Sequence, residues 1–235
     1  MRNKGFSLIE SLISLSFFLL VALAGLEFFG VSRRIYASLE KKEESSRAAA
    51  CAMDKLKSDL GAAGEGLVRP IRLGALRGVN GRADGFVMLS REAELSLAED
   101  AAAGQTLIVA GSVEGLRAGQ DVCLFDSRHA EVHAIVSLQG NGLVLSSPLS
   151  HSYIKEEADI CALRQISYYL DGRTGIIRRK VNASPAQPML EGASAFECSF
   201  DEAGNLAAVR IRLKDDEEKT YEITFFPKNT GLAAV

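Results

Sequence analysis

The chain has 235 residues, of which 47% are hydrophobic and 24% charged, with a formal net charge of −3. That is an ordinary globular composition, and its slightly acidic balance argues against a protein devoted to wrapping nucleic acid. Four cysteines occur without a C-x-x-C pair, and neither a phosphate-binding glycine loop nor a G-x-S-x-G elbow is present. The sequence therefore offers no recognisable zinc ribbon, motor or hydrolase site.

The chain opens Met1-Arg2-Asn3-Lys4-Gly5-Phe6-Ser7-Leu8-Ile9-Glu10, and an apolar run continues to about Val31. Glu10 is the feature that needs a reason, because an acidic side chain near the centre of a membrane helix costs roughly 2.5–3.5 kcal/mol. Three readings fit residues 1–31. One is a plain signal anchor, long enough to span a hydrocarbon core of about 30 Å. Another is a secretory signal with Arg2 and Lys4 as its basic start, Leu12 to Leu23 as its apolar centre and Ala22-Leu23-Ala24 as its cleavage site. Neither gives Glu10 a role.

The third reading is a resemblance. Lys4-Gly5-Phe6-Ser7-Leu8-Ile9-Glu10 resembles the class III signal of type IV pilins and pseudopilins, in which a short basic leader ends in Gly, Phe follows, and Glu is the fifth mature residue. The resemblance implies cleavage between Gly5 and Phe6 by a prepilin peptidase, N-methylation of Phe6, and an assembly role for Glu10. It also implies a leader at 1–5 and a membrane or filament-core helix at 6–31. The globular part would lie outside the cytoplasm, first held in the inner membrane and then built into a pilus or pseudopilus. Lysine and arginine flank the apolar run on both sides (Arg2 and Lys4, then Arg33 and Arg34), so charge alone leaves the orientation unset.

The helical pattern extends past the membrane segment. No proline precedes Pro70, and Gly25 and Gly30 are the only glycines between Phe6 and Gly61. Ile35, Leu39, Ala49, Met53, Leu56 and Leu60 fall on one seam, interrupted at Lys42 and Ser46. Gly61-Ala62-Ala63-Gly64-Glu65-Gly66 then ends a helix roughly 80 Å in contour, with its outer half at 32–64.

From residue 65 onward short apolar runs alternate with Gly, Asn and Asp turns, which predicts an antiparallel β domain with an inserted lobe at 84–160. Expected strands are Phe86–Leu89, Thr106–Ala110, Asp121–Phe125, Glu131–Leu138, Leu143–Ser146, Ile166–Leu170, Ile176–Val181, Ala195–Phe200, Ala208–Lys214 and Thr220–Phe226. In the next-to-last, Val209, Ile211 and Leu213 face one way and Arg210, Arg212 and Lys214 the other. The expected class is α+β, a long N-terminal helix packed on an antiparallel sheet.

Met53-Asp54-Lys55-Leu56-Lys57-Ser58-Asp59-Leu60-Gly61-Ala62-Ala63-Gly64 is similar to a stretch of large PilW-type minor pilins. Tyr168-Tyr169-Leu170, Ile177-Arg178-Arg179, Leu190-Glu191-Gly192-Ala193 and Phe225-Phe226-Pro227-Lys228-Asn229 follow in that family's order. Such a subunit would be non-enzymatic and would need no cofactor. Its partners would be the prepilin peptidase, the major and other minor pilins, the inner-membrane assembly platform and the membrane itself. A type II secretion or DNA-uptake pseudopilin, and an adhesin or DNA-binding tip pilin, are the alternatives.

Cysteine connectivity is not set by the sequence. The pairing we expect is Cys123 with Cys161, both of which look like strand starts bounding the middle lobe, while Cys198 reads as a buried free thiol. His129 and His133, four apart on a strand-like stretch, read as surface residues. Arg178-Arg179-Lys180 with Arg210, Arg212 and Lys214 forms a candidate basic patch that reads first as a solvated sheet face.

Overall fold

With no proline to break intrahelical bonding, the start of the chain forms one 54-residue helix, α1 (Leu8–Gly61), in the computed structural model. The structure describes residues 8–82, 84–201, 205–214 and 216–231. Two compact units meet within α1, between Ala48 and Ala49.

In the first unit the described residues are helix alone, and its large apolar side chains are exposed, from Leu8 at 80% to Leu39 at 57%. Ile35 and Leu39 belong to this exposed set. They therefore depart from the expected seam, because a single helix gives them no apolar surface to pack on.

The second unit begins with the last turns of α1, where Ala49, Ala52, Met53, Leu56 and Leu60 are buried. A short helix, α2 (Val68–Arg72), comes next. The strands are β1 (Val79–Arg82), β2 (Gly85–Ser96), β3 (Leu107–Val109), β4 (Asp121–Phe125), β5 (Ala130–Gln139) and β6 (Gly142–Leu145). They continue with β7 (Asp159–Asp171), β8 (Ile176–Val181), β9 (Gln187–Leu190), β10 (Ala193–Asp201), β11 (Leu206–Leu213) and β12 (Asp216–Phe225), before a last turn of helix, α3 (Lys228–Gly231). The layout is thus α+β, and every pairing of these strands is antiparallel.

One sheet runs β1-β2-β7-β4-β5-β6-β3, with β8 also on β7 and β9 beside β8; the other runs β10-β11-β12. The central feature of the larger sheet is the long β2–β7 ribbon, whose register runs from Gly85↔Tyr169 at one end to Ser96↔Asp159 at the other. The chain leaves this ribbon after Ser96 and returns at Asp159, so residues 97–158 form an excursion from its far end. The excursion has its own core, including Ile108, Val122, Leu124, Ile135, Leu143 and Tyr153. The near half of the ribbon belongs to a different core. There Phe86, Met88, Ile166 and Tyr168 join the buried helix residues and Phe196, Val209, Ile211 and Leu213 of the second sheet. Phe86 links the two sheets, with its ring 5.4 Å from Tyr168 and 5.9 Å from Phe196.

Candidate functional site

Glu10 lies in the first turn of α1, where the helix dipole tolerates a negative charge. Its neighbours Leu8, Ile9, Leu12 and Ile13 are exposed. Gly5 and Phe6, the expected cleavage and methylation positions, lie outside the described residues. Past Glu10, Phe17, Phe18, Leu19, Leu20 and Val21 stand in succession and are all exposed, which makes the helix apolar all round rather than on one stripe. A helix of that kind needs an apolar medium or apolar partners on every side. The Ser16 hydroxyl donates to the Leu12 carbonyl at 2.9 Å, so its polarity is absorbed by its own backbone. By length and composition this helix can cross a membrane.

The other end of α1 is tied to the sheets by polar contacts. Asp59, 7% exposed, accepts from the Tyr168 hydroxyl at 2.5 Å and from Arg179 Nε at 2.6 Å, with Lys55 Nζ 3.1 Å away. Burial opposes the charge on Asp59, but the bonds from Arg179, Tyr168 and Lys55 outweigh it and hold the carboxyl below its ordinary range. Burial and the same carboxylate push the Tyr168 phenol up. Asp59 lies more than a hundred positions from Tyr168 and Arg179 in the chain, so no local sequence signal announces the triad.

A second tie comes from the C-terminal segment. Asn229 Nδ2 donates to the Gly61 carbonyl at 3.3 Å, satisfying an orphan acceptor at the helix end. Thr230 Oγ1 donates to Asn205 Oδ1, and Asn205 Nδ2 donates to the Pro227 carbonyl. Space for this clasp depends on glycine. Gly64 sits at φ +75°, and a Cβ on Gly78 would lie 2.2 Å from Thr230 Cγ2. Asn229 thus has a structural task at the helix end.

All three histidines of the chain meet at one corner of the 97–158 excursion. His133 is 5% exposed and bonds Ser147 Oγ at 2.9 Å and Glu131 Oε2 at 3.0 Å. This corrects its reading as a surface residue. Strand alternation puts it on the same inward face as Ile135, where its two ring nitrogens find partners. The His129 and His151 rings stack at 4.2 Å, with His129 Nδ1 3.5 Å from Asp126 and His151 Nδ1 3.9 Å from Glu131. Burial works against the Glu131 charge, yet backbone N–H groups of Ser150 and His151 and the side chains of His133 and Tyr153 hold its carboxyl low. Among the described residues no group of three or more His, Cys, Asp or Glu is arranged to hold a metal ion.

The basic face is largely neutralised. Arg210 pairs with Glu222 at 3.2 Å, Arg212 with Glu197 at 2.8 Å, Arg178 with Asp171 at 3.1 Å, and Arg179 is committed to Asp59.

Of the cysteines, Cys51 is exposed and Cys198 is half-buried, its thiol pushed up to about 11 by burial. Cys123 and Cys161 are both fully buried, stand opposite one another on β4 and β7, and are thiols here.

A polar cleft opens where β4 and β8 take successive stretches of the same edge of β7. Its larger part encloses about 420 Å³ and is lined by Glu92, Arg117, Gln120 and Asn182 among others. A second part of about 250 Å³ adds Asp121, Gln165 and Lys180. Glu92 Oε2 accepts from both Gln120 and Asn182, bracing the two sides.

No family profile matches this chain, and no curated protein matches it. Two solved structures are similar over a limited stretch. One is the Gp54 tailspike of Acinetobacter baumannii bacteriophage AP22 in complex with A. baumannii capsular saccharide, at 14% identity over 33% of this chain and 15% of that one, with a TM-score of 0.30. The other is the tailspike protein gp49 from Pseudomonas phage LKA1, at 19% identity over 30% of this chain and 14% of that one, with a TM-score of 0.27. Likeness at that level carries no argument about fold or function.

Proposed function

We propose that this chain is a minor pilin, a non-enzymatic single-pass subunit of a type IV pilus-like filament that takes part in pilus assembly or initiation. The observation that carries the reading is a carboxylate, Glu10, in the first turn of a membrane-length helix and four positions after the Phe6 of Lys4-Gly5-Phe6. Cleavage after Gly5 creates an α-amine on Phe6, four positions before Glu10 in the sequence. In a filament core that ammonium neutralises the carboxylate of its own or a neighbouring subunit, and removing either partner strands a charge in apolar surroundings at a cost of several kcal/mol. The second unit, tied to the helix end by Asp59 and Asn229, is then the part displayed outside the inner membrane.

Mass spectrometry of the native N-terminus tests the reading. N-methylated Phe6 is the expected first residue, and a chain beginning at Gly25 would sink it. Glu10→Ala is expected to insert in the membrane normally yet drop at least about tenfold in sheared filaments; normal recovery there contradicts the assembly role.

A pseudopilin of a type II secretion or DNA-uptake machine fits the same helix, and deletion separates the two by whether surface pili or secretion is lost. The polar cleft favours a tip-binding role as a further reading, tested by glycan-array binding of the full chain with and without Asn182→Ala. Nucleic-acid capture draws little support from the arginines, whose charges are already paired.

A further inference from the structure

Cys123 and Cys161 form a preorganised pair. They are register partners on adjacent antiparallel strands, a position that sets Cα atoms about 4.5–5.5 Å apart, inside the range of about 4.4–6.8 Å that a disulfide spans. Both are fully buried, in a small core with Leu67, Leu76, Phe125 and Leu163 that contains neither Cys51 nor Cys198. As directly opposed residues of an antiparallel pair, they carry their side chains on the same face of the sheet.

We propose that these two thiols are oxidised to a disulfide while the chain folds outside the cytoplasm, and that this bond staples the root of the 97–158 excursion to the long ribbon. The timing and compartment rest on the extracytoplasmic placement proposed above.

The oxidant is a disulfide of the thiol-exchange class, R–S–S–R. The Cys161 thiolate attacks one of its sulfurs, forming a mixed disulfide and releasing RS⁻. Cys123 then loses its proton and attacks the Cys161 sulfur, forming the Cys123–Cys161 bond and releasing the second RS⁻. The two thiolates take up the two protons that the cysteines gave. Two cysteine thiols and R–S–S–R thus become one cystine and two R–S–H, with both electrons on the oxidant.

Neither sulfur is exposed, so exchange has to precede closure of the small core, which afterwards shields the bond from reductants. The bond closes the chain from β4 through β5, β6 and the returning segment to β7. β4 is the strand by which the excursion's own sheet joins the ribbon. Peeling the excursion from the ribbon would then require breaking a covalent bond as well as the β4–β7 ladder.

The test uses the full chain in two preparations: extracted from host membranes into denaturant, and refolded in vitro with oxidised glutathione. Both are alkylated without reduction, digested and mass-mapped. Peptides carrying Cys123 and Cys161 are expected joined and about 2 Da lighter than the two free thiol peptides, with Cys51 and Cys198 alkylated. Joining in both preparations supports the staple and its compartment. Joining only in vitro keeps the pairing chemistry and overturns the extracytoplasmic placement. Free thiols in both, or bonds to Cys51 or Cys198, overturn the staple. The Cys123→Ala/Cys161→Ala variant is expected to be nicked by protease within residues 126–158 roughly tenfold faster than the oxidised chain; equal rates would show that the bond does not hold the root.

Discussion

The two ends of α1 place their apolar side chains in opposite ways. Between Leu8 and Val31 large side chains point out on all sides and are exposed, whereas between Ala49 and Leu60 smaller ones occupy one face and are buried. The first stretch, exposed on all sides, needs an apolar medium or apolar partners. The second takes its stability from the chain's own sheets, which is why Ala, Met and Leu suffice there and why an acidic residue, Asp59, is admitted only with three partners. The contrast shows that hydrophobicity alone does not locate a core; the distribution around the helix does.

Thermal unfolding of the full chain in detergent can break that contrast. Leu56→Ala empties a fully buried position and is expected to cost about 3–4 kcal/mol, while Leu19→Ala, made on the exposed stretch, leaves the transition where it was. Equal losses would mean that the two ends are stabilised alike.

Asp59→Asn is expected to cost about 3 kcal/mol, since Arg179 keeps its charge and loses its carboxylate. Its pH signature sharpens the test. The folded-state carboxyl is held low, so its contribution is complete above about pH 4, the ordinary carboxylate value, and is lost as pH falls through the lowered folded value. The variant should lack that part of the acid destabilisation; an unchanged acid limb would show that Asp59 adds nothing through its charge.

Asn229→Ala is expected to lower stability by only about 1 kcal/mol, the scale of one hydrogen bond to a helix end. Its sharper readout is faster amide hydrogen exchange over the last turn of α1. Unchanged exchange there would remove the clasp from the account.

Much of the β architecture is legible in the sequence because alternation is local. The apolar pattern marks Asp121–Phe125 and Ile176–Val181 with their observed bounds, and Val209, Ile211 and Leu213 face inward as their spacing requires. β1 and β9 carry no such pattern. Val79-Asn80-Gly81-Arg82 holds turn-like residues, and Gln187-Pro188-Met189-Leu190 holds a proline that a strand accepts at a sheet edge, where β9 pairs with β8 alone. The same alternation that places the arginines of β11 outward turns His133 inward.

The sequence by itself determined the long helix, its apolar first half with Glu10 inside it, and the antiparallel character of the chain beyond residue 65. All of these depend on spacings of a few residues and on the cost of polar groups in apolar surroundings. Only the tertiary structure decided which part of the helix is buried, that Asp59, Tyr168 and Arg179 meet, that three histidines share one corner, and that Cys123 faces Cys161 across a ladder. These are contacts between distant parts of the chain, and register, which sets them, is a property of paired strands rather than of any one segment.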